Sequence, residues 1–314
     1  MSILHTISNL LKEQDNYEII THVYPDGDTL GGAFALCHAL QVLGKKAHVI
    51  IVPESLPDRF VFLTEGIISQ DFEASVIISV DVPSTEQLGH LKDKYEGKID
   101  ICIDHHESNS ILAKYRIIDP DAAAACEIIY DLICLLNVPI LKEIAGCIYT
   151  GISTDTGCFK YINTRAKTHL IAARVMDAGC DWPGINQIMF EIKSRPKIAF
   201  ERMVYDTLEF FANGKIALIH VPVKMLESAH LSEDQAEDIA SIPKRVEGVL
   251  IGITMREKKD GTYKISVRTG QNVNASKFCS IFGGGGHSAA AGCIVSGDFD
   301  YVKQKLITEA EKIL

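Results

Sequence analysis

Nine cysteines are spread along the chain with no C-x-x-C pair and an odd total, so neither a disulfide framework nor a structural zinc site is suggested. A reducing cytoplasm is the simplest setting for them. Basic residues are in deficit: 31 Lys and Arg stand against 41 Asp and Glu, for a formal net charge of −10. That balance argues against a protein gripping long nucleic acid through its phosphates, which needs a basic face. It leaves room for a short anionic substrate neutralised by bound metal. No apolar run reaches bilayer-spanning length, since even residues 122–136 are interrupted by Glu127 and Asp131. Ile3, Ile7, Leu10 and Leu11 fall at helical spacing without the apolar core of a signal peptide, so a soluble, unprocessed, cytoplasmic chain is expected. There is no internal repeat, and no low-complexity tract longer than Gly283–Gly286.

What is present is enough chain, 314 residues with 47% hydrophobic content, for two domains with substantial cores. In the first half strand patterns alternate with helical ones and no hairpin signal occurs, which reads as a parallel sheet wound by right-handed crossovers. Strands are expected at 17–20, 47–52, 74–80 and 99–103, with a helix from about Leu30 to Leu43 stopped by Gly44. Helices are expected at 122–136, from Leu141 towards Tyr149, at 165–178 and from Pro183 to about Ile192. Gly151–Gly157 reads as a polar turn, and Phe159–Tyr161 as a short strand. A polar, proline-broken segment around Lys193–Lys197 marks the boundary. The predicted architecture is thus α/β with two domains: a parallel-sheet domain over 1–192, a linker and connecting helix over 193–213, and a smaller C-terminal α/β domain with a mixed sheet over 214–314. In the latter, Ser232 and Gln235 form a capping pair and Asp260-Gly261 turns a hairpin.

The chemistry concentrates where strands end. His22-x-x-x-Asp26-x-Asp28 follows the first strand, Asp81 follows the third, Asp104-His105-His106 the fourth, and Asp155 lies in the later polar turn. In a parallel sheet the carboxyl ends of the strands line one crevice. The plain alternative for the first stretch is a loop in which Asp28 or Thr29 caps the next helix. Several carboxylates forced together would raise each other's pKa unless a cation sat among them. The economical interpretation is a pair of divalent ions. Mixed imidazole and carboxylate donors with no thiolate suit Mn2+, with Mg2+ or Co2+ as substitutes. Two such ions form a clamp for in-line displacement at phosphorus, so phosphoester hydrolysis is expected. Gly284, Gly285 and Gly286 with His287 and Ser288 could cradle a phosphate, and Arg268 could grip one with its planar fork.

These motifs, in this order and over nearly the whole chain, resemble the DHH phosphoesterase family with its associated C-terminal domain. The resemblance implies an active-site cleft between the two domains and a division of labour. His22, Asp26 and Asp81 would hold one metal, and Asp28, Asp81, His105 and Asp155 the other, with Asp81 shared. Asp104 would orient a ligating imidazole and His106 would face the substrate phosphate, making Asp81, Asp104 and His106 the catalytic set. Two positions depart from the family pattern: Gly32 stands where serine is common, and Ala122–Ala125 lacks hydroxyls found in many relatives. Both bear on substrate preference rather than on metal ligation. The chain is most similar to small stand-alone members that degrade very short RNA and remove the 3′-phosphate of adenosine 3′,5′-bisphosphate. The expected partners are a short oligoribonucleotide or nucleotide, no long nucleic acid and no membrane, and a homodimer is compatible with the family. A cyclic or linear dinucleotide phosphodiesterase, and a nucleotide-binding regulator without turnover, are the alternatives.

Overall fold

The chain divides into two compact units, Met1–Ile192 and Lys193–Leu314. The structure, a computed structural model, describes residues 2–51, 56–231, 234–270 and 273–314. Val52, Pro53 and Ser232, the capping residue of the expected Ser232–Gln235 pair, fall outside these.

The first unit is built on five parallel strands, β1 (Tyr17–Ile20), β2 (Ala47–Ile50), β3 (Val76–Val80), β4 (Ile101–Asp104) and β5 (Tyr115–Ile118). Their order is β2-β1-β3-β4-β5, with Ile20 level with Ser79 across β1 and β3. The winding direction therefore reverses between β1 and β3, and at that switch point the connections diverge and leave a crevice beyond the strand ends. β5 carries only Tyr-Arg-Ile-Ile as signal and is not legible from sequence pattern.

Helices α1 (Ile3–Glu13), α2 (Gly27–Val42), α3 (Lys92–Tyr95), α4 (Ala125–Leu136), α5 (Lys142–Asp155), α6 (Ala166–Asp177) and α7 (Trp182–Asn186) complete the unit. The sequence assigns α2 one apolar face, yet every residue from Gly27 to Leu40 is buried. The chain has no charged side chain between Asp28 and Lys45, and a helix apolar all round belongs inside. Burying each large side chain such as Leu36 or Leu40 contributes roughly 1.5–3 kcal/mol. Close approach of α2, α4 and α5 depends on glycine. A methyl at Gly31 would lie 2.4 Å from the Cys147 carbonyl oxygen, and one at Gly151 would lie 2.1 Å from Cys126 Sγ.

Two expectations are corrected here. Gly151 does not open a turn: α5 runs through it to Asp155, because that glycine serves helix packing rather than chain reversal. Phe159–Tyr161 is not a strand. Gly157, Cys158 and Phe159 have φ of 55°, 59° and 62°, a left-handed run that no strand contains.

The second unit opens with α8 (Arg195–Tyr205), followed by β6 (Glu209–Phe211), β7 (Ile216–Val221), α9 (Val223–Ser228), β8 (Ile251–Glu257) and β9 (Thr262–Thr269). It closes with α10 (Ala275–Ser280), β10 (Gly285–Gly286), β11 (Ala290–Ser296) and α11 (Phe299–Glu311). The sheet order is β10-β11-β9-β8-β7-β6, with β7 and β8 parallel and the other pairs antiparallel. The β8–β9 hairpin turns at Asp260-Gly261, where Asp260 Oδ1 accepts from Thr262 N at 2.9 Å and Gly261 has φ 79°. Among the described residues no helix is long and apolar enough to cross a membrane.

Candidate metal centre and active site

The chain leaving β1 is pinned before it enters α2. Val23 N donates to Gln87 O at 2.8 Å, and Tyr24 N donates to His22 Nδ1 at 3.2 Å. Asp26 is the N-cap of α2: its Oδ1 accepts from Asp28 N and Thr29 N, both at 3.0 Å. Asp26, rather than Asp28 or Thr29, thus performs the capping that the plain reading of this stretch requires. Asp28 points inward, fully buried, and caps a different helix. Its carboxylate accepts from Ala125 N at 2.6 Å and Cys126 N at 2.9 Å, at the start of α4. Ala124, the N-cap of α4, has no side-chain acceptor, so the missing hydroxyls of Ala122–Ala125 are replaced by a carboxylate reaching across from α2.

Asp81 follows β3 with φ 55° and is buried, a strained backbone for a non-glycine residue that turns its carboxylate back over the strand end. Its Oδ2 accepts from Thr29 Oγ1 at 2.7 Å, and its buried Oδ1 has no hydrogen-bond partner. Thr29 Oγ1 also lies 2.7 Å from His22 Nε2 and 3.2 Å from Asp26 Oδ1, so one hydroxyl ties three candidate ligands together.

Asp104 ends β4 and organises the turn after it. Its Oδ1 accepts from His105 N at 2.7 Å, His106 N at 3.1 Å and His106 Nδ1 at 2.8 Å, while Asn109 Nδ2 donates to its Oδ2. Burial would raise the Asp104 carboxyl, but the His106 and Asn109 hydrogen bonds outweigh it and hold the group below its ordinary range. The same bond, with Asp81 nearby, pushes His106 up to about 11.

His105 Nδ1 sits 3.2 Å from the Ala122 carbonyl oxygen, which requires the proton on that nitrogen. The lone pair on Nε2 then faces Asp155 Oδ2 at 3.2 Å, Asp81 Oδ1 at 3.6 Å and Asp28 Oδ2 at 3.8 Å. A lone pair aimed at three carboxylates is repulsive unless a cation or a proton intervenes. Burial first, and then the neighbouring carboxylates, raise Asp81 and Asp155 well above the usual range. Burial likewise raises Asp28, against the pull of His105. Burial lowers His22, leaving a neutral imidazole of the kind that ligates metal. The donors fall into overlapping groups whose atoms all lie within 4.8 Å: His22, Asp26 and Asp81; Asp28, His105 and Asp155; and Asp81 with Asp104, His105 and His106. This all-oxygen-and-imidazole set, with the orphaned Asp81 oxygen at its middle, fits divalent cations. It opens into a cavity of about 430 Å3 lined by His22, Tyr24, Asp26, Asp81, His106 and Asp155, with Pro83 and Gln87 on its wall.

Sequence reasoning missed Thr29 as a bridge and Asn109 as the partner of Asp104. A hydroxyl three residues after a capping Asp, and an amide five residues after Asp104, were the signals available.

In the second unit Arg268 is the penultimate residue of β9, opposite Ala290, with Nη1 donating to the Val267 carbonyl oxygen at 3.1 Å. The glycine run lies against β11: methyls at Gly284 and Gly286 would sit 2.2 Å from Gly292 O and 2.7 Å from Ala290 O. The N–H groups of Gly283, Gly284 and His287 are taken by Ser280 O, Cys279 O and Ala290 O. The backbone cradle expected here is therefore mostly occupied by the fold itself, while the His287 and Ser288 side chains lie at an exposed stretch.

Comparison with known proteins agrees with this arrangement. Residues 17–152 match the DHH family, N-terminal domain, and residues 217–314 match the DHHA1 domain. The chain is 33% identical over 298 residues to the bifunctional oligoribonuclease and PAP phosphatase NrnA of Thermus thermophilus, covering 92% of this chain and 87% of that protein. It is 26% identical to the probable bifunctional oligoribonuclease and PAP phosphatase NrnA of Streptococcus mutans, over 93% of each chain. Its fold superposes on the crystal structure of an exopolyphosphatase-related protein from Bacteroides fragilis with a TM-score of 0.88 and 25% identity, over 99% of this chain and 96% of that one. On these grounds the chain belongs to the DHH phosphoesterase family and carries that family's DHHA1 domain after its N-terminal domain.

Proposed function

We propose that the chain hydrolyses short oligoribonucleotides to mononucleotides and removes the 3′-phosphate of adenosine 3′,5′-bisphosphate, using two Mn2+ ions. The observation that carries this reading is the meeting of His105 Nε2 with Asp155, Asp81 and Asp28 at 3.2–3.8 Å, beside the His22–Asp26–Asp81 group. His22, Asp26 and Asp81 would hold one ion and Asp28, Asp81, His105 and Asp155 the other. Bound there, the ions supply Lewis acidity towards water and the phosphoryl oxygens. The residues do the rest. Thr29 fixes Asp81 and His22, and the Ala122 carbonyl fixes the His105 tautomer. Asp104 holds His106 by Nδ1, leaving Nε2–H of this half-exposed imidazole to meet a phosphoryl or leaving oxygen. Arg268, His287 and Ser288 of the second unit would engage the anionic end of the substrate. The acidic chain, with its net charge of −10, suits a substrate short enough to need no basic track.

The test is a panel of an RNA dinucleotide, adenosine 3′,5′-bisphosphate, cyclic di-AMP and its linear form, each assayed with Mn2+ and with chelator. Chelator-sensitive turnover, greatest on the dinucleotide and the bisphosphate, is expected. Preference for the cyclic substrate would reassign the enzyme, and absence of turnover on all four would leave a nucleotide-binding regulator. Replacing His287 by alanine should raise KM on the dinucleotide more than on a minimal phosphoester; equal losses would remove its anchoring role.

A further inference from the structure

The cavity over the metal cluster is lined largely by carboxylates and imidazoles, which suit a phosphate and its cations. One lining side chain differs. Tyr24 is 79% exposed, although it stands between the metal-cluster residues His22 and Asp26. Single exposed apolar side chains are common on this chain and need no occupant, but among the exposed large apolar side chains of the described residues Tyr24 is the one that lines this cavity. Its backbone is not loose: Tyr24 N is bonded to His22 Nδ1 at 3.2 Å, Val23 N on one side to Gln87 O at 2.8 Å, and Pro25 on the other restricts it to extended conformations. The backbone that carries the ring is thereby held beside the cavity, with Val23 and Pro83 as the other apolar lining groups.

We propose that Tyr24 is a specificity-determining platform on which the base next to the attacked phosphate stacks. The inference rests on the oligonucleotide reading above. A phenol face accepts any base, since every base has a π-face, so Tyr24 selects nucleotides over simple phosphoesters without selecting sequence. The neighbouring phosphate stays with the polar cluster.

The experiment compares an RNA dinucleotide with two analogues, each lacking one base, in the wild-type chain and in Tyr24→Ala, Tyr24→Phe and Tyr24→Trp. Stacking of one base on an aromatic ring corresponds to about a 5- to 150-fold effect on alanine substitution. The ratio of kcat/KM for the dinucleotide over one of the two analogues should fall by that factor in Tyr24→Ala, mainly through KM. Tyr24→Phe and Tyr24→Trp should keep the ratio. A ratio unmoved in Tyr24→Ala, or a Tyr24→Phe variant as impaired as alanine, overturns the platform while leaving the hydrolase reading intact. A wild-type chain that cleaves no oligonucleotide overturns both.

Discussion

Replacing Gly151 by alanine links packing to chemistry in a way that can be worked out beforehand. The added methyl would lie 2.1 Å from Cys126 Sγ and 2.8 Å from both Cys126 Cβ and Asp28 Oδ1. Comfortable separations are about 3.5–4 Å between carbon atoms, so the first turn of α4 or the Asp28 carboxylate must move by about 1 Å. Overpacking of this kind costs about 1–3 kcal/mol, and alanine in place of glycine inside α5 returns about 1 kcal/mol. A net loss of about 0–2 kcal/mol, or a Tm lowered by at most about 8 °C, is expected for chelated protein. Metal binding should suffer more, because ligand distances tolerate only about 0.2 Å, and loss of a ligand's supporting contacts typically lowers affinity or activity about 10–100-fold. The assays are thermal unfolding, calorimetric titration with Mn2+ and dinucleotide hydrolysis. Adding Cys126→Ala removes the nearest clashing atom, so the double variant should recover part of the loss. The reasoning is refuted if Gly151→Ala keeps its Tm and Mn2+ affinity within twofold, or if Cys126→Ala adds a second loss instead of offsetting the first.

Other consequences follow from the same site. In metal-free protein Asp81 and Asp155 are raised first by burial and then by the Asp28 carboxylate beside them, so the folded chain binds more protons than the unfolded chain from about pH 4 upward. Stability is then present at low pH and lost as pH rises. His106 acts in the same direction between 6.5 and about 11. His22, His38 and His220, which burial lowers, act the opposite way below about 6.5, so the comparison is made above it: metal-free Tm should be lower at pH 8.5 than at pH 7, and Asp81→Asn should raise the pH 8.5 value, whereas a rise of wild-type Tm over that range would contradict the burial argument. Thr29→Val removes the hydroxyl bridging His22, Asp26 and Asp81 and should lower Mn2+ affinity about 10–100-fold, with Thr29→Ser largely restoring it, as titration would read. Asn109→Ala takes a donor from Asp104 and should lower kcat about tenfold with metal affinity nearly unchanged; an equal fall in Mn2+ affinity would place Asn109 with the metal instead.

Much of this was legible in the sequence wherever a residue's chemistry and its place at a strand end coincided. His22, Asp26, Asp28, Asp81 and Asp104 to His106 all follow runs of β-forming residues, and the parallel sheet brings those ends to one edge. Contacts between distant segments were not legible. Gly151 looks like a chain-breaker until Cys126 and Asp28 are seen against it, and Asp155 therefore reads as a loop residue rather than the last residue of α5. Thr29 looks like helix-start chemistry until the Asp81 carboxylate arrives from 52 residues away. The four-glycine run shows the opposite error. Taken alone it suggests a bare anion cradle, but its pairing with β11 uses backbone groups that local sequence cannot assign.

Counting ions is the sharpest check. Calorimetric titration of Mn2+ into chelator-treated protein should give two ions per chain for wild type, and for Asp81→Asn should give one or none over the same concentration range. A wild-type chain that takes up a single ion, or an Asp81→Asn chain that still binds two with undiminished affinity, would contradict a binuclear centre built around Asp81.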